Sequence, residues 1–207
     1  MQKELSRSIV SSGRLPKLNT VAGVDVAYTT EFAIGAAVVL DYPSMEVIDS
    51  SVAMTRVNMP YIPGLLSFRE IPVLLKAIEK LMLTPDVFIV DGHGRIHPRE
   101  FGIACHLGLI VERPTIGCGK SLLCGSYKEP GQEKGDFTRV INHGRCIGVA
   151  LRTRSKVKEI FVSVGNMIDL VEARNIVLAC CPKYRIPEPV RHADRLVAKY
   201  KSESIAQ

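Results

Sequence analysis

Apolar positions change period several times along the chain, and each change predicts a new element. Three strand-like segments come early: TVAGVDVAYT, FAIGAAVVLDY and MEVIDSSVAMTRV, with short connections at Thr-Thr-Glu and Pro-Ser. Connections of that length suit hairpins, so an antiparallel meander is predicted. A short helix is predicted over residues 2–12. After the turn-rich NMPYIPG, apolar residues recur at Ile71, Leu74, Leu75, Ile78, Leu81 and Met82. That spacing is the one-sided stripe of an amphipathic helix. Pro72 fits only near a helix start, which places Glu70 in or just before the first turn. Pro85 is expected to close this helix. Val87 to Val90 is a continuous apolar run ending at Asp91, the pattern of a strand buried on both faces.

A second helix is predicted over Arg99–Val111, then a strand in PTIGCG, further strands between residues 136 and 164, and two closing helices. The last two occupy IDLVEARNIVLACC and PVRHADRLVAKYK. Three antiparallel strands followed by helix, strand, helix and strand make an α/β order with a mixed central sheet flanked by helices. That order is similar to the ribonuclease H-like fold.

Composition narrows the class. At 207 residues, with 46% hydrophobic and 23% charged residues, the chain reads as a single globular domain over residues 1–207. No apolar run is long enough to span a membrane, and the start lacks the apolar core of a signal peptide. A cytoplasmic monomer with no membrane partner is expected. The net charge of +6 is compatible with a polyanionic partner. Positive charge recurs at Arg95 and Arg99, between Arg152 and Lys158, and between Lys183 and Arg195, which suggests a face rather than a tail. The six cysteines form no CxxC pair and mostly sit among apolar residues, so buried free thiols are expected and a zinc site is not.

The densest chemistry lies in VFIVDGHGRIHPREFG, residues 87–102. In open α/β sheets ligands bind beyond the carboxyl ends of such strands, where Asp91 stands. The bland reading is that Asp91 caps an Asp-Gly turn. Three familiar motifs fail here. GCGKS lacks the first glycine of a phosphate-binding loop, where Pro114 stands, and GHGRIH ends in His97 where a dinucleotide fingerprint needs glycine. His93 and His97 flank a glycine and belong to no HExxH helix. What remains is a set of carboxylates. Asp25 interrupts an apolar strand, where burying a charge is costly unless it is paired or bound to a metal. Glu70 and Asp91 sit at predicted element ends. If the first and fourth strands are neighbours, the three can converge, and oxygen clusters suit hard cations such as Mg²⁺ or Mn²⁺.

The segments VAGVDVAY, PYIPGLLSFRE, DGHGRIHPREFGIACHLG, GKSLLCG, LRTR, SVGNMIDL and YRIPEP resemble the endonuclease V family over roughly residues 20–198. The resemblance implies a ribonuclease H-like fold and Mg²⁺-dependent endonuclease activity on DNA containing deoxyinosine or other deaminated bases. The cut would fall at the second phosphodiester bond 3′ to the lesion, leaving 3′-hydroxyl and 5′-phosphate ends. Carried over by motif, Asp25, Glu70 and Asp91 match the acidic metal-binding set, with Asp194 in RHADRL as a fourth member. His97 and Lys120 match positions associated with the active site. Pro60, Tyr61, Ile62 and Pro63 resemble the wedge that parts the strands, and Gly92 and Gly94 are candidates for the pocket that takes the flipped base. Two positions depart from the pattern: Arg95, where a smaller or apolar residue is usual, and Gly119, where Ala is usual.

Two rival functions are carried forward. One is the same chemistry on inosine-containing RNA, which tolerance of a 2′-hydroxyl would decide. The other is a non-catalytic binder of damaged nucleic acid, which would have little need of the carboxylates.

Overall fold

The computed structural model describes residues 1–57 and 59–205; Asn58, at the head of the turn-rich stretch, lies outside the described residues. The predicted meander consists of β1 (Thr20–Tyr28), β2 (Phe32–Asp41) and β3 (Val47–Arg56), paired antiparallel in chain order. β4 (Val87–Asp91) lies parallel to β1, and β5 (Thr115–Gly119) parallel to β4. β6 (Phe137–Asn142), β7 (Arg145–Leu151) and β8 (Ile160–Asn166) extend the sheet antiparallel from β5. The strand order is β3-β2-β1-β4-β5-β8-β7-β6. This is the mixed, helix-flanked sheet of the ribonuclease H-like fold.

Among the described residues five α-helices accompany the sheet: α1 (Gln2–Leu5), α2 (Leu66–Ile78), α3 (Ile103–Val111), α4 (Leu170–Ala179) and α5 (Glu188–Ile205). Successive strand side chains point to opposite faces, and the apolar runs of β1 and β4 supply both. Val21, Val87 and Ile89 pack with Val177 of α4 and with Val190 and Ala193 of α5. Ala22, Val24, Phe88 and Val90 pack with Ile71 and Leu74 of α2 and with Leu107 of α3. Gly23 is required by the first of these layers. A Cβ there would lie 2.0 Å from the carbonyl oxygen of Pro189, so only glycine lets α5 settle against β1.

Several predicted boundaries move. The expected helix over residues 2–12 is only α1 with a single 3₁₀ turn, Ser6–Ser8. α2 begins at Leu66, so Glu70 lies in its second turn and Pro72 lies inside the helix. Pro72 removes the N–H that would meet the carbonyl of Phe68. Phe68 and Pro72 both border a surface depression. α2 stops at Ile78 rather than near Pro85, because the Asp49 carboxylate accepts the N–H groups of Met82 and Leu83 at 2.7 and 3.0 Å and draws the chain toward β3. α3 starts at Ile103 rather than Arg99, since Gly102 and Ala104 donate to the carbonyls of Gly94 and His93 and tie the helix start to the loop after β4.

All six cysteines are unpaired. Cys105, Cys118, Cys180 and Cys181 are buried, Cys124 is partly so, and Cys146 departs from the expectation because it lies on the exposed outer end of β7. No helix among the described residues is long and apolar enough to cross a membrane.

Candidate active site

β1 and β4 run side by side and parallel, so Asp25 and Asp91 reach the same edge of the sheet. Asp25 has the parity of Val21, and Asp91 that of Val87 and Ile89, so both point toward the layer that holds α5. Asp194, on α5, approaches from that layer, and Glu70 reaches the same edge from α2 in the opposite layer. The four carboxylates therefore approach the ends of β1 and β4 from both helical layers, near enough that Asp25 feels the charges of Asp91 and Asp194, and Glu70 those of Asp25 and Asp91.

Their charges are mutually unfavourable. Burial first, and then the like charge of Asp91, push Asp25 up to about 7, against the N–H of Val26 that its carboxylate accepts at 2.8 Å. Burial, then Asp25 and Asp91, push Glu70 up to about 8, with Arg69 pulling the other way. The Arg69 guanidinium lies over the Tyr28 ring, 4.1 Å from its centre. The cation at the centre is Lys120, which follows β5 and donates to Asp91 Oδ2 at 2.5 Å. Burial works against this ammonium, but Asp91, Asp25 and Asp194 outweigh it and hold Lys120 above the ordinary lysine value. Arg185 fixes the backbone beneath it, donating to the carbonyls of Lys120 and Glu159, each at 2.8 Å.

As the side chains stand, no group of three or more His, Cys, Asp or Glu residues among those described is arranged to hold a metal ion. The Lys120 ammonium takes the position on Asp91 that a cation would claim. The donor set nevertheless fits a hard cation. It consists of carboxylate oxygens, and two of its members are held protonated up to near-neutral pH by burial first and then by like charge that one lysine does not offset.

Beside the carboxylates opens a cavity of about 250 Å³, mostly apolar, walled by Tyr61, Leu66, Phe101, Ile103, Leu122 and Leu123. Pro60, Tyr61, Ile62 and Pro63 are all exposed, and of the four Tyr61 borders the cavity; at 61% exposure this aromatic is not core packing. Gly92 borders the cavity and Gly94 does not. The N–H of Gly94 is instead spent on Ser163 Oγ at 2.9 Å, inside the sheet. His97 is 5% exposed and sits in the cavity wall, its Nδ1 accepting the N–H of Arg99 at 3.2 Å. Burial and then Arg99 lower its pKa, which keeps the ring neutral near pH 7. The structure thus brings Lys120 into contact with the carboxylates and sets His97 at the cavity.

Sequence reasoning missed His93. Its Nε2 lies 3.0 Å from the Ser121 carbonyl and so carries the proton, which leaves Nδ1 a buried acceptor without a partner among the described residues. Burial pushes this imidazole down to about 4. His93 also explains Gly119: a Cβ there would lie 2.2 Å from the His93 ring. Leu122 and Leu123 were missed too, although two adjacent leucines directly after Gly-Lys-Ser were a usable signal; in the structure Leu123 is 52% exposed.

The Endonuclease V family model matches residues 3–195. The endonuclease V of Dictyoglomus turgidum is 46% identical over 193 residues, 93% of this chain and 85% of that protein. The endonuclease V structure from Streptomyces avermitilis superposes with a TM-score of 0.93 at 42% identity, covering 99% of this chain and 91% of the other. Endonuclease V of Ciona intestinalis, solved with a 24-mer DNA containing an inosine followed by a ribo-adenosine, gives a TM-score of 0.87 at 33% identity, covering 98% and 95% of the two chains.

Proposed function

The chain belongs to the endonuclease V family, and from that premise we propose that it is a divalent-metal-dependent endonuclease acting at deoxyinosine in DNA. It cuts the second phosphodiester bond 3′ to the deaminated base and leaves 3′-hydroxyl and 5′-phosphate ends. The observation that carries this reading is the adjacency of a charge-frustrated carboxylate cluster and an apolar cavity with an exposed aromatic at its rim.

Asp25, Glu70 and Asp91, with Asp194 as a fourth member, would hold Mg²⁺, for which Mn²⁺ would substitute. When bound, such an ion supplies Lewis-acid polarisation of the phosphate and a more acidic water. Lys120, swinging from Asp91, offsets charge developing on the phosphate, and Arg185 limits how far its backbone can shift. Tyr61 stacks in the gap left by the flipped base, with the flanking prolines keeping it stiff. The base enters the cavity, where Gly92 offers backbone and the neutral His97 lines the wall.

A nicking assay on a deoxyinosine oligonucleotide with Mg²⁺, parent against Asp91→Ala, tests the reading. Site-specific nicking by the parent and its loss in the variant are expected. Binding without nicking by the parent would leave a binder, not an enzyme. A second reading, cleavage of inosine-containing RNA, is favoured by one observation: the DNA bound by the Ciona relative carries a ribo-adenosine after the inosine. Matched DNA and RNA oligonucleotides separate the two.

A further inference from the structure

Arg95, the departure from the family pattern left without a role, has two partners in the structure. Its guanidinium donates to Ser11 Oγ at 2.7 Å and to Glu100 Oε2 at 2.6 Å. Arg145, from the β6–β7 hairpin, pairs with the other oxygen of the same carboxylate. Glu100 therefore orients two arginines contributed by separate segments. Together with Lys3, Arg7 and Arg99 they border an open depression of about 540 Å³, in which five cationic side chains face a single carboxylate.

This depression backs directly onto the apolar cavity. In the turn between them, His97 borders the cavity, while Pro98, Arg99 and Glu100 border the depression. Arg99 Nη1 donates to Gln2 Oε1 at 2.7 Å and to the Gly64 carbonyl at 3.1 Å, and Gln2 Nε2 donates to that same carbonyl at 3.0 Å. The N-terminal helix is thereby fastened to the end of the Tyr61 loop, and the groove's wall is fixed in place.

We propose that this basic groove binds the phosphodiester backbone of the substrate strand on one side of the lesion. The inference rests on the function proposed above. A strand whose base enters the cavity must carry its next phosphates past the rim, and the 97–100 turn leads them onto the groove. Five cations against one carboxylate leave a surplus that phosphates neutralise with release of counterions. Glu100 consumes one charge but holds Arg95 and Arg145 ready, which lowers the ordering cost of binding.

The test is anisotropy binding of inosine oligonucleotides extended on only the 5′ or only the 3′ side, across a salt series. The proteins are the parent, Arg7→Ala/Arg145→Ala, and the charge-matched Lys17→Ala/Arg113→Ala. Lys17 and Arg113 are exposed and precede β1 and β5, at the end of the parallel strands away from Asp91. Arg7 is exposed and the Arg145 side chain is 69% exposed, so the groove variant is expected to fold. It should bind about tenfold more weakly, with a salt slope smaller by about 2 and the loss confined to one flank. The charge-matched variant should bind as the parent does. Unchanged affinity and slope, or equal loss on both flanks, overturns the groove. If the parent itself does not prefer inosine over undamaged DNA, the function proposed above fails instead.

Discussion

Arg152 and Asp25 are both charged and both largely withdrawn from water, yet their surroundings differ in kind. The Arg152 side chain is 3% exposed and its donors are all spent: on the carbonyls of Gly131, Val157 and Pro130 at 2.8, 2.7 and 3.0 Å, and on Glu129 and Glu159 at 3.2 and 3.4 Å. Burial pushes its partner Glu159 up, but the Tyr127 hydroxyl, the backbone and Arg152 together hold that carboxyl below the usual range. Around Asp25 the balance runs the other way. Carboxylates face carboxylates, two are pushed to about 7 and about 8, and a single lysine bridges to one of them. One cluster spends its charges on holding loops together. The other keeps them unsatisfied, which is where a cation and a phosphate can still be bound.

Breaking the satisfied cluster should have the largest effect on stability. Arg152→Met leaves Glu159 buried without its cation, so we expect a loss of about 3–5 kcal/mol in chemical denaturation. Asp91→Ala, expected to abolish nicking, should denature nearly as the parent does. Comparable losses in the two variants would erase the contrast.

A pH series sharpens it. Folded values of about 7 and 8 for Asp25 and Glu70 lie above the ordinary carboxylate value near 4. Between about pH 4 and pH 8 the folded protein holds protons that the unfolded chain has released, so metal-free stability should fall as pH rises through that window. Saturating Mg²⁺ should flatten the fall. A metal-free melting temperature that rises from pH 5 to pH 8 would contradict the assignment.

The smallest effect is expected at the cavity rim. Tyr61 is 61% exposed, so Tyr61→Ala should leave the melting temperature unchanged while weakening affinity for inosine DNA about tenfold. Equal affinity in the variant would remove the aromatic from lesion engagement.

The sheet was legible because its signals are local. An apolar strand interrupted by Asp25 marked β1, an apolar run ending at Asp91 marked β4, and their predicted pairing placed Asp25 beside Asp91. The helix expected from Ile168 starts within two residues of it, at Leu170, where Asp169 accepts the Glu172 N–H at 2.8 Å. Helix starts without such a cap were misplaced. Leu65 and Gly102 precede α2 and α3 with no side-chain cap, so Pro72 alone misled the placement of Glu70. The cavity was least legible, because its wall gathers residues near 61–67, 92–103 and 121–123 that meet only after folding. Gly94, chosen for its place in the motif, serves the sheet.

The most direct test is the melting temperature of metal-free protein at pH 8, with and without Mg²⁺, for the parent and Asp25→Asn. The amide removes one of the clashing charges and a ligand together. We predict that Asp25→Asn melts higher than the parent without metal, and that Mg²⁺ stabilises the parent but not the variant. Equal stabilisation of both by Mg²⁺, or a variant less stable than the parent without metal, would contradict the carboxylate cluster as the metal centre.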